Sequence, residues 1–131
     1  MSDVLIKGAS NKAPSFQAAS GLLVQTAPAI AAGVLTLALA TSDVFVVSLG
    51  ANITTTTVTG VSASGRVSIY NLITTGDGTP RTIVYPAGTV WINNGNVAPT
   101  PTATLNKRDK YTFFTYDGGV VWFASIDAQD Y

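Results

Sequence analysis

Val44-Phe45-Val46-Val47-Ser48-Leu49, then Gly50-Ala51-Asn52, then Ile53-Thr54-Thr55-Thr56-Thr57-Val58-Thr59 is the stretch that decides how this chain folds. The first run places Phe45, Val47 and Leu49 on one side of an extended backbone, the period of two expected of a strand with one buried face. Gly50 and Asn52 are turn-forming residues and break that strand. The four consecutive threonines that follow are β-branched, so they suit a pleated backbone and give it a polar side.

Working outward, the same alternation recurs. Residues 22–26 are a short apolar run ended by Pro28, and residues 33–40 place Leu35, Leu37 and Leu39 on one face. Thr41-Ser42-Asp43 reads as a turn. Residues 62–65 are a turn before a strand at 66–72, and Gly76-Asp77-Gly78-Thr79-Pro80 is a loop before a strand at 81–85. Pro86-Ala87-Gly88 leads into a strand at 89–92, followed by an irregular stretch over 93–102. Residues 110–116 and 120–126 form a hairpin across Asp117-Gly118-Gly119. Eight or nine short strands at about ten-residue spacing are the pattern of a sandwich or barrel.

The expected fold is all-β: an antiparallel β-sandwich with a jelly-roll-like connection over residues 21–131. Helix, if any, is confined to a turn around residues 27–32. Trp91 and Trp122, with Phe113, Phe114 and Phe123, are expected as core or interface anchors. Residues 1–20 have no sustained period and read as an extended N-terminal arm. Val4, Leu5, Ile6 and Phe16 suit a solvated tail poorly, so the arm is expected to dock, on its own domain or on a neighbouring subunit.

At 131 residues the chain is one domain. Hydrophobic residues make up 47% and charged residues 11%, against a usual charged share of about a quarter. Seven basic and seven acidic residues cancel, leaving little electrostatic defence against self-association. Such a surface suits a permanent assembly. Neutrality also argues against nucleic-acid binding, which needs a basic face. Residues 27–40 look like a signal-peptide core ending in Ala38-Leu39-Ala40, but the preceding segment is too long and carries only Lys7 and Lys12. As a membrane span the run is too short and is compromised by Gln25, Thr26 and Pro28.

The chain has no histidine, cysteine or glutamate, and all seven acids are aspartates. Serines and threonines therefore have no histidine base, and no metal site, cofactor or catalytic residue is expected. A two-aspartate glycosidase would need a pair that nothing in the sequence brings together. Asp77 between glycines reads as a turn ahead of a weak Ca2+ site, and Gly76-Asp77-Gly78 lacks the lysine of a phosphate loop. Lys107-Arg108-Asp109-Lys110 beside Tyr111, Phe113 and Phe114 has a basic and aromatic look suited to single-stranded nucleic acid. Zero net charge favours a solvated turn entering an amphipathic strand instead. Trp91, Asn93, Asn94 and Asn96 combine an aromatic face with amides, as a glycan site does, and equally fit a loop anchored by a buried tryptophan or an interface loop.

Over about two-thirds of its length the chain resembles a domain of tailed-bacteriophage virion proteins, of the head-fibre, decoration and tail-fibre kinds. The residues that carry the likeness are Asn52-Ile53-Thr54, residues 65–71, Ile83-Val84-Tyr85-Pro86-Ala87-Gly88, Trp91, Asn94-Gly95-Asn96, Ala98-Pro99-Thr100, Arg108-Asp109 and residues 111–122. The resemblance implies a homotrimer without enzymatic activity on the surface of a phage particle, made in the host cytoplasm. With so short a chain, the expected function is capsid decoration (a head fibre or cement protein), seated on the major capsid protein or another virion protein through the arm. The alternative is a tail-associated receptor-binding adhesin that contacts host surface glycan. A host-side cell-surface adhesion module shares the strand pattern but lacks an export signal.

Overall fold

The computed structural model describes residues 23–131. The expected arm, with Val4, Leu5, Ile6 and Phe16, lies outside the described residues. Eight strands follow: β1 Gln25–Thr26, β2 Val34–Ala38, β3 Val44–Ser48, β4 Thr55–Thr59, β5 Ser68–Thr75, β6 Thr89–Trp91, β7 Arg108–Thr115 and β8 Trp122–Ala128. Among the described residues the only helix is a 3-10 turn at Asn94–Asn96. The regular structure of the described residues is thus nearly all β.

The strands form a six-stranded sheet ordered β1-β3-β5-β7-β8-β6 and a two-stranded sheet, β2-β4. From β1 to β5 the chain alternates between the two sheets and returns each time in the same direction. Gln25 lies beside Val44 and Val44 beside Asn71 in the large sheet, while Val34 lies beside Thr55 in the small one. One circuit takes 19 to 27 residues, so this half of the molecule is wound as a coil. β5, β7 and β8 then run as an antiparallel meander, and β6 adds to β8 in parallel.

The expectation of an antiparallel fold is corrected here: four of the six strand pairings among the described residues are parallel. A parallel pair needs a crossover; for β1–β3, β2–β4 and β3–β5 the intervening strand of the opposite sheet supplies it, while β6 reaches β8 through β7 of the same sheet. The allowance for a helical turn goes unused, and one further strand is revised. Residues 27–32 form no helical turn; the chain reverses at Ala32 and Gly33, both with positive φ, and Ala31 bridges Val34. Residues 81–85 are reduced to a single parallel bridge, Ile83 beside Ile53, held by Ile53 N–H to Thr82 O (2.9 Å) and Val84 N–H to Ile53 O (2.8 Å).

β1 is short for a local reason. Its register on β3 would next call on residue 28 to donate, and Pro28 has no N–H. The chain peels away there, leaving an open groove of about 400 Å3 between residues 27–30 and Val46, Ser48, Gly50 and Ala51.

One core lies between the two sheets. Leu35 and Leu37 enter it from β2, Phe45 and Val47 from β3, Tyr70 and Leu72 from β5, Tyr111 and Phe113 from β7, and Trp122 from β8. Tyr70 is its centre, stacked on Phe113 at 4.9 Å and meeting Trp122 and Phe45 edge-on at 5.3 and 5.8 Å. Each aromatic pair contributes roughly 0.5–1.5 kcal/mol beyond its buried area. Trp91, Trp122 and Phe113 are therefore core anchors. Phe114 and Phe123 point the other way.

Candidate functional site

Because alternate residues of β5, β7, β8 and β6 fill the core, the intervening ones form the outer face of the large sheet. Register aligns them in rows. Ile69 lies beside Phe114, Phe114 beside Phe123 and Phe123 beside Val90, an unbroken apolar row across four strands. Phe114 stacks on Phe123 at 5.2 Å, and Tyr116 stacks on Phe123 at 5.7 Å. Val67 borders the row at one end and Ile92 at the other. Val67 is 63% exposed, Ile69 and Ile92 are each 55% exposed and Tyr116 is 54% exposed. These seven side chains include no charge.

The next row along the strands is polar and internally satisfied. Lys110 Nζ donates to Asp127 (2.7 Å) and to Asn71 Oδ1 (3.1 Å), while Ser125 Oγ donates to Asp127 Oδ1 (2.9 Å). Partial burial of Asp127 pushes its carboxyl up, but the bonds from Lys110, Thr112 and Ser125 outweigh this and leave it below the ordinary carboxylate range. The rim of the apolar face is thus a neutral, paired network.

The residues singled out for chemistry are placed in structural roles. Trp91 is 6% exposed and packs edge-on against Tyr85 at 4.9 Å, so its ring offers no face to a sugar. The Asn93 side chain continues the sheet beyond β6: its Nδ2 donates to Ile126 O (2.9 Å) and its Oδ1 accepts from Ile126 N–H (3.1 Å). Asn94 and Asn96 are exposed and hold positive φ in the 3-10 turn, where Asn94 Nδ2 donates to Val97 O at 3.0 Å. Asp77 is engaged by Arg81 Nη2 (2.6 Å) and Thr79 N–H (3.0 Å), and the Arg81 hydrogen bond holds its carboxyl below the usual range. Among the described residues no cluster of three or more acids could hold a metal ion.

Two features escape the sequence reading. Asp109, inside the basic run, is fully buried and ties the strand start to both neighbouring segments, accepting from Thr102 N–H (2.7 Å), Thr102 Oγ1 (2.6 Å) and Asp130 N–H (3.0 Å). Alternation with Lys110 and Tyr111 was the signal that could have placed it inward. The Tyr70 hydroxyl is buried with no hydrogen-bond partner, and burial pushes its ionisation far above the ordinary value of 10. No helix of the described residues is long and apolar enough to cross a membrane.

Comparison of the chain with protein-family models, with curated proteins and with solved structures found no match.

Proposed function

We propose that this chain is a virion structural protein of a tailed bacteriophage, a trimeric capsid-decoration protein that seats on the shell through residues 1–20 and carries no chemistry of its own. The observation that carries the reading is the uncharged apolar face of the large sheet. Seven contiguous apolar side chains on the outside of a chain of zero net charge are what a permanent assembly presents before it assembles. The chain's lack of histidine, cysteine and glutamate supports a packing role over catalysis. At the level of the fold, we take the two sheets as the layers of a small sandwich, since their inward side chains share one core.

Deleting residues 1–20 tests the attachment role. The truncated protein is expected to keep its far-ultraviolet spectrum and its oligomeric mass, and to lose co-sedimentation with empty shells. Undiminished shell binding would overturn the docking role of the arm, and an unfolded product would make the arm part of the core. Gold-labelled protein found only at the tail end of particles would replace decoration with the adhesin reading.

A further inference from the structure

We infer that the aromatic face of the large sheet is the surface through which copies of this chain meet, turned inward around the threefold axis of the trimer. This rests on the trimeric reading above and adds to it the surface that does the work. The apolar row spans four strands, about 14 Å at roughly 4.8 Å per strand, with Phe114 and Phe123 at its middle. Its composition matches the centre of an interface: stacked aromatics flanked by β-branched residues, with a polar rim on one side.

Area argues for a partner of this chain's own kind. A stable interface buries about 800 Å2 per partner, of which roughly 60% is apolar, so on the order of 500 Å2 of apolar surface is needed. Seven apolar side chains, most of them about half exposed, supply on the order of 400–500 Å2. Charge argues the same way. The face carries no charge, Lys110 is already paired with Asp127, and the whole chain is neutral, so copies brought face to face meet no repulsion. A nucleic acid or an anionic membrane would find no electrostatic attraction on such a surface.

The test is the mass of the intact chain and of three variants by sedimentation velocity, with circular dichroism to confirm folding. Val67→Asp alters an exposed residue at the edge of the face, and Phe123→Asp alters its centre. Leu105→Asp places the same charge on an equally exposed residue in the loop at the opposite end of β5. Wild type and Leu105→Asp are expected to be trimers, with Val67→Asp and Phe123→Asp folded monomers that associate at least 100-fold more weakly. Should Phe123→Asp fail to fold, Val67→Asp still decides the matter. Trimers from a folded Val67→Asp and Phe123→Asp would overturn this interface and leave the trimer standing. A monomeric wild type would overturn the trimer itself, and a face-dependent dimer would overturn the threefold arrangement.

Discussion

Replacing Gly88 by alanine tests the seating of β6 on β8 at the far edge of the large sheet. Gly88 sits at φ +80, and an added Cβ would lie 2.1 Å from the Val120 carbonyl oxygen. Its own carbonyl accepts the Trp122 N–H at 3.0 Å, and the next residue opens β6, which runs parallel to β8. The left-handed conformation costs alanine about 1 kcal/mol relative to glycine. Relieving a backbone contact that short requires the turn to move off β8, which costs about 2 kcal/mol more in hydrogen bonding and Trp91 packing. A loss of about 3 kcal/mol, at roughly 3–5 °C per kcal/mol for a chain of this size, lowers Tm by about 10 °C or more. Gly65→Ala isolates the backbone part, because Gly65 has φ +93 with open space around it, and should cost about 1 kcal/mol. Gly50→Ala, with neither constraint, should fall within about 0.5 kcal/mol of wild type. Urea unfolding followed by circular dichroism at one fixed protein concentration reads all three. If Gly88→Ala proved as mild as Gly65→Ala, the close approach of β6 to the Val120 turn would be refuted.

Two further perturbations probe the core and the acid limb. Tyr70→Phe removes a buried hydroxyl that has no partner while keeping the ring on Phe113; it is expected to leave stability unchanged or raise it by about 1 kcal/mol, and a loss above 1 kcal/mol would mean the hydroxyl is satisfied. Asp117 accepts from Val121 N–H and Thr115 Oγ1, and these bonds hold its carboxyl below its unfolded value of 3.8. Its contribution is therefore complete above about pH 4 and is lost as pH falls through the lower folded value. Asp117→Asn should flatten the fall of the urea midpoint below pH 4, and an unchanged slope would rule out this turn as an acid-sensitive point.

The positions of strands were legible because burial imposes a period of two. Phe45, Val47 and Leu49 all prove to be buried, as does the Leu35 and Leu37 pair. Their direction was not legible, since alternation is the same whether a neighbour runs parallel or antiparallel. Spacing of about ten residues fits a hairpin meander, and it fits equally a chain that crosses to the opposite sheet at every step. Composition marked Trp91 and Phe123 alike as anchors, although one is buried and the other lies on the outer face. Only the register that pairs Phe123 with Phe114 and Val90 shows that the outer aromatics form one surface. Asp109 was hidden by its basic neighbours, whose side chains leave on the opposite side of the strand.

Sedimentation equilibrium of the intact chain at micromolar concentration bears most directly on the claim that this fold is built to be covered by its own copies. The predicted result is a single species with three times the 13.5 kDa chain mass, unchanged by moderate salt because the contact is apolar. A stable species of one chain mass at that concentration would contradict it.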